Sequence, residues 1–305
     1  MQSSLAYQAD TGGPINVPAM SYTVTVTGLT GGHSGVDINR GRGSATKLLV
    51  RALWPAGTRY GVRLVSLQAG TAHNAIPTEA NAIVMAPVEQ AREFGDYLKQ
   101  FETTVRQELA ATEPNLTVKW ITATLPTIPQ VMTPASQERV LDVLYANPQG
   151  VLRMSDSVPG LVETSNNLGV VTTADGFVKA TNLARSSVDS ELTDAGAMVM
   201  SDWDLAGGQY AVTDQYQGWD PNPNSPLLGL FEKTYKQVYG VDASYVAIHA
   251  GLECGTVASK YPQMDLISIG PTLVDVHSPT ERLQVSTVPK VVDLMVAVLG
   301  QIPGK

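Results

Sequence analysis

Tyr22, Val24 and Val26 alternate with Thr23, Thr25 and Thr27, the period-two pattern of a half-buried strand. Past a glycine-rich turn the period lengthens. Ala45, Leu48, Leu49 and Ala52 share one face of a helix predicted over residues 44–54, with Lys47 and Arg51 opposite and Pro55 and Gly57 ending it. Strands are predicted over 62–67 and 80–86, a long charged amphipathic helix over 88–109, and a closing strand over 116–122. That order, with two crossover helices, predicts a split-βαβ, ferredoxin-like α+β sandwich with its helices on one face of an antiparallel sheet.

Residues 126–160 carry Pro, Ser and Asn around one helix, 137–146, and read as a connector. A second α+β segment follows. Predicted strands over 162–173 and 177–185 flank Ala174-Asp-Gly176, a strong hairpin signal. Leu192, Ala195, Met198, Val199 and Trp203 then recur at helical spacing over 191–205, ahead of a strand at 209–215. This strand-strand-helix-strand piece echoes the back half of the first unit, as a degenerate structural repeat would.

After residue 218 the character changes. Ser225 as N-cap and Pro226 in the first turn open a helix running to 239. A strand at 244–249, a turn-helix at 251–255, an apolar strand at 264–270 and a helix ending at 299 are expected after it. Such alternation predicts part of a parallel or mixed α/β sheet, too few strands to form a comfortable layer alone.

The 305 residues, 43% hydrophobic and 16% charged, can bury a substantial core and fit two domains better than one. A net charge of -8 and the lack of any Lys/Arg run argue against a nucleic-acid partner. One cysteine, Cys254, excludes an intrachain disulfide and fits a reducing compartment. The opening residues lack a basic stretch followed by an apolar one, and the apolar helix candidate at 288–299 is too short to span a bilayer. A soluble, cytoplasmic protein is expected, with no membrane partner.

Candidate chemistry gathers in loops and at strand ends. Gly28, Gly31, Gly32 and Gly35 surround His33 and hold an imidazole clear of the core, though a turn with a solvated histidine reads as well. His73, His249 and His277 also fall in predicted loops or at strand ends. His277 follows an apolar strand, where an imidazole can ligate a metal or serve a turn before Ser-Pro. Glu253 lies four residues after His249, a spacing that equally suits a carboxylate in a first helical turn. Asn74 beside Pro77 can donate to a developing oxyanion or serve its own turn. Arg185, ending a strand, can clamp a carboxylate or sit at a surface edge. Cys254 has no adjacent base and reads as a small packed residue. No P-loop, G-x-G-x-x-G, Cys-x-x-Cys or G-x-S-x-G is present.

Six segments occur in one order: Gly31-Gly-His33-Ser-Gly35, Asn74-Ala-Ile-Pro77, Arg185-Ser-Ser-Val-Asp189, Tyr216 to Pro226, Ile248-His-Ala-Gly-Leu-Glu-Cys-Gly255, and Ile269-Gly-Pro271 with His277-Ser-Pro279. Together they resemble the aminoacylhistidine (Xaa-His, cytosolic non-specific) dipeptidases, a branch of the dinuclear zinc peptidases, over nearly everything from Ser21 to Leu299. The resemblance implies a lid, which also dimerises, over 21–219, in halves 21–125 and 160–219 after a short remnant at 1–20. Residues 220–305 are then the end of an α/β catalytic domain. It implies a dipeptide substrate, a homodimer through the lid, and two zinc ions, with cobalt or manganese as substitutes. It casts His33 and Asn74 as stabilisers of the tetrahedral intermediate, Arg185 as binder of the substrate's free carboxylate, His249 and Glu253 as parts of the substrate-facing loop, and His277 as a metal ligand. The family's His-x-Asp, bridging Asp, Glu-Glu pair and further Asp have no counterpart among the first twenty or so residues. The chain is therefore expected to be a fragment or one half of a split enzyme, perhaps completed by a separate N-terminal half. Alone it is expected to bind zinc weakly and hydrolyse nothing measurable. The alternative is a non-catalytic dimerisation or interaction module derived from a dipeptidase.

Overall fold

The computed structural model describes residues 2–6, 9–10, 17–125, 130–156, 158–213, 219, 222, 224–246, 253–274 and 281–302. The chain divides into two compact units, Met1–Gly218 and, for the most part, Trp219–Ala247 with Gly251–Lys305. In the first, β1 (Gln2–Ala6) and β2 (Ala9–Asp10) precede β3 (Ala19–Thr27), α1 (Ala45–Leu53) and α2 (Ala56–Tyr60). β4 (Arg63–Ala69), β5 (Ala80–Pro87), α3 (Ala91–Glu108) and β6 (Thr117–Thr122) follow. Next come β7 (Val131–Met132), α4 (Pro134–Ala146), β8 (Gly150–Met154), β9 (Val162–Ala174), β10 (Phe177–Ser186), α5 (Asp189–Leu205) and β11 (Gln209–Ala211).

The apolar faces read from the sequence build these elements. Val24 and Val26 point into the core from β3, and Phe94, Leu98, Phe101 and Val105 line the buried face of α3. Asp175 and Gly176 both take positive φ, 55° and 78°, as a tight hairpin between β9 and β10 requires. The helix expected over 137–146 starts three residues earlier. Thr133 Oγ1 accepts from the Ser136 N–H at 3.2 Å and Pro134 opens the first turn, a start signal inside the stretch read as a connector.

Nine strands form one sheet in the order β11-β1-β10-β9-β4-β5-β3-β6, with β8 also pairing β9. Counted outward from the β9/β4 join, each half has the same plan. β3, β4, β5 and β6 lie in the order second, third, first, fourth, and so do β1, β9, β10 and β11. α1 and α3 serve the first half, α4 and α5 the second. One hydrophobic core runs beneath both, from Leu49, Leu64 and Phe94 to Leu144, Leu168, Val178 and Trp203.

This corrects two boundaries. Residues 1–20 are not a remnant ahead of the lid: β1 lies between β10 and β11, with Gln2 opposite both Thr181 and Ala211. Nor are 126–160 a linker, since they supply β7, which pairs β2, then α4 and β8. The first half is inserted between β1 and α4, so no local pattern marks the second half as complete.

In the second unit Ser225 caps α6 (Pro226–Tyr239), its Oγ accepting from the Leu228 N–H at 2.9 Å and donating to Asp265 Oδ1 at 2.7 Å. α7 (Glu253–Lys260), a two-stranded ladder of β12 (Leu273–Val274) and β13 (Arg282–Leu283), and α8 (Val288–Leu299) follow. The expected strands do not form in the described residues: 244–246 and 264–270 are irregular, and 247–249 lie outside them. An apolar run becomes a strand only with a ladder partner, and these have none there. The described part of this unit is thus helical with a small ladder, rather than a parallel α/β sheet. Among the described residues no helix is long and apolar enough to cross a membrane.

Candidate functional site

His33 stands at the far end of the turn after β3. Gly28, Gly31 and Gly32 have φ of 81°, 66° and 140°, and a Cβ on Gly28 would strike the Asn115 carbonyl, so this turn needs glycine. The turn zips onto the loop after β4. His33 bridges Ala75, the Ser34 N–H donates to Asn74 O at 2.8 Å, and the Ile76 N–H donates to Gly32 O at 2.9 Å. Asp37 holds the histidine backbone, accepting from the His33 N–H at 3.0 Å and from Arg40 Nε at 2.9 Å. The Gly35 N–H donates to His33 Nδ1 at 3.2 Å, which puts the hydrogen of a neutral ring on Nε2 and makes that nitrogen a donor.

Asn74 is fixed from the other half of the sheet. Asn167, buried on β9, donates through Nδ2 to His73 O at 2.9 Å and Ala75 O at 2.8 Å, the carbonyls flanking Asn74. Its Oδ1 accepts from Gln149 Nε2 at 3.0 Å. The main chain on both sides of Asn74 is thereby clamped.

Arg185 comes from the last turn of β10, opposite Ser165 on β9. Its Nε donates weakly to Ser34 Oγ at 3.4 Å. A Cβ built on Gly35 would lie 3.0 Å from His33 Cε1 and 3.3 Å from Arg185 Cζ, so imidazole and guanidinium border the same glycine. Burial pushes the guanidinium below the usual arginine range. No carboxylate pairs with it among the described residues. A half-buried cation beside an imidazole and an amide can receive an anion and donate to a second oxygen nearby.

Three of the six predicted site residues, His33, Asn74 and Arg185, are therefore brought together. Glu253 is an exposed first-turn carboxylate of α7 in the second unit, and His249 and His277 lie outside the described residues. Among the described residues no group of three or more His, Cys, Asp or Glu side chains is placed to hold a metal ion, so these residues by themselves do not fit a zinc centre. Burial pushes the Cys254 thiol up, away from reactivity. Ser34, Asp37 and Asn167 were not legible as site residues. The polar run Glu163 to Asn167 inside an otherwise apolar strand was the one available signal.

Residues 24–113 match the peptidase dimerisation domain, which defines the class: a peptidase built around such a domain. The chain is 36% identical over 285 residues to the cytosol non-specific dipeptidase of Escherichia coli (strain K12), covering 93% of this chain and 58% of that protein. The crystal structure of aminoacylhistidine dipeptidase from Vibrio alginolyticus superposes with a TM-score of 0.90 at 37% identity, covering all of this chain and 61% of that one. The chain belongs to the aminoacylhistidine dipeptidase family, and spans about three fifths of these relatives' length.

Proposed function

We propose that this chain supplies the substrate-gripping lid of a cytoplasmic, metal-dependent dipeptidase that hydrolyses unblocked dipeptides such as Xaa-His. The observation that carries the reading is Arg185: a half-buried guanidinium next to His33, with no carboxylate of the described chain to neutralise it. Leaving such a cation unpaired is costly unless a ligand completes it. The free carboxylate of a dipeptide has the right charge and size.

In this reading Arg185 takes that carboxylate and fixes the register of the scissile bond. The His33 Nε2–H and the Asn74 amide donate to the oxygen of the attacked carbonyl as it gains charge. Asp37 and Asn167 hold both donors in place, so little reorganisation is needed as that charge develops. His249 and Glu253 belong to the loop facing the substrate, and His277 offers an imidazole to zinc. Zinc, when bound, supplies the polarised water. The ferredoxin-like plan of each half of the lid supports the family's lid architecture, and the dimerisation-domain match supports a homodimer.

Calorimetry with a histidine-terminated dipeptide and its C-terminal amide tests the carboxylate assignment. A charge-assisted bond of about 1.5–3 kcal/mol predicts that wild type prefers the free acid by about 10- to 100-fold. Arg185→Gln should erase the preference. Equal affinity for acid and amide in wild type would overturn the assignment and favour an interaction module instead.

A further inference from the structure

A dimerisation domain implies a second copy, yet the family match covers only the first half of the sheet unit. We propose that the second copy is the chain's own second half. The β4 edge is spent internally, so the His33–Asn74–Arg185 cluster is assembled in cis and a second chain docks elsewhere.

The topology is the first argument. Both halves have the strand order second, third, first, fourth, and they meet through the second strand of each, β4 against β9. The pairing is antiparallel, Gln68 with Thr172 and Ala69 with Val171, so a local two-fold relates the halves as it would two protomers in an isologous contact.

Side chains of the second half also occupy the β4 edge beyond this short ladder. Thr173 Oγ1 accepts from the Leu67 N–H at 3.0 Å and Gln137 Oε1 accepts from the Leu64 N–H at 2.6 Å. Gln137 Nε2 returns a bond to Val62 O at 2.9 Å, and the Arg63 guanidinium donates to Met132 O. Donors already taken cannot template a strand from another molecule.

Glycines allow the close approach. A Cβ on Gly70 would strike Gly169 O, and one on Gly169 would lie 2.7 Å from His73 Cα. Finally, the cluster itself straddles the join. Asn167 of the second half clamps the Asn74 loop of the first, and Arg185 of the second reaches Ser34 of the first. A chain whose β4 had paired with another molecule would lack both supports.

Gln68 is exposed and directly opposite Thr172, and opposed residues in antiparallel strands are about 4.5–5.5 Å apart, within disulfide range. With Cys254→Ala removing the single native thiol, Gln68→Cys and Thr172→Cys can be placed in one chain or in two. After oxidation the double variant should run as a cross-linked single chain, at a yield independent of protein concentration. Separate single variants, unfolded together and refolded, should form no mixed disulfide. A mixed disulfide in that pair would overturn the proposal, as would a folded double variant that fails to close. The cross-link requires neither dipeptide binding nor hydrolysis, so its outcome is separable from the functional reading.

Discussion

Three glycine-to-alanine variants separate backbone strain from steric exclusion at the join. Gly207, just past α5, has φ +74° and open space around its would-be Cβ. Alanine there meets only the left-handed penalty, about 1–2 kcal/mol, partly offset by about 0.4–1 kcal/mol of lost unfolded-state freedom. Gly169 is not left-handed, but its Cβ would lie 2.7 Å from His73 O and 2.8 Å from Ala72 O. Those are backbone atoms that no rotamer change can move aside, so overpacking of about 1–3 kcal/mol is expected. Gly70 combines both, with φ +63° and a Cβ directed onto the Gly169 carbonyl. Relief there must part β4 from β9 and cost bonds of the short ladder, each about 0.5–1.5 kcal/mol. Gly70→Ala should therefore lose about 2–5 kcal/mol, and Gly207→Ala about 1 kcal/mol or less. Urea denaturation followed by circular dichroism reads all three, and the unfolded-state contribution is common to them. A Gly70→Ala loss within about 0.5 kcal/mol of Gly207→Ala would mean the halves are not in close contact, refuting the join.

Asn167→Asp keeps the shape but replaces two donated bonds with a carboxylate facing the His73 and Ala75 carbonyls. A loss of about 2–4 kcal/mol is expected, with faster hydrogen exchange at the Ile76 amide, and unchanged exchange there would remove Asn167 from its clamping role. Lys47 donates to Leu144 O at 3.0 Å and Asn147 O at 2.9 Å at the end of α4, and burial pulls its ammonium from 10.5 to about 8. Below about 8 both folded and unfolded chains keep that proton, and between about 8 and 10.5 only the unfolded chain does, so this group makes stability rise with pH across the window. The stability gap between wild type and Lys47→Met should shift toward wild type over that range, and a pH-independent gap would contradict the burial.

Much of the first half was legible because its elements announce themselves locally: alternation in β3, one apolar face on α1 and α3, Asp-Gly between β9 and β10. His33, Asn74 and Arg185 were legible one by one, through glycines, a proline corner and a strand end. Their convergence was not. It depends on β1 pairing with β10 across a gap of more than 160 residues, and on β9 meeting β4 through contacts no period encodes. Asn167 illustrates the difficulty: in sequence it is a polar residue in a strand, and only the fold turns its amide toward the loop that carries Asn74. The runs at 244–246 and 264–270 mark the opposite limit, apolar enough for strands but without ladder partners in the described chain.

The account turns on Arg185 as a receptor for an anionic chain terminus beside His33. Nitrogen-detected NMR of the labelled arginine and histidine side chains, titrated with a histidine-terminated dipeptide and then with its amide, reads those two groups directly. The free acid should move the Arg185 Nε signal and the His33 ring signals together, while the amide leaves Arg185 in place. A dipeptide that binds while both side chains stay unmoved would contradict it.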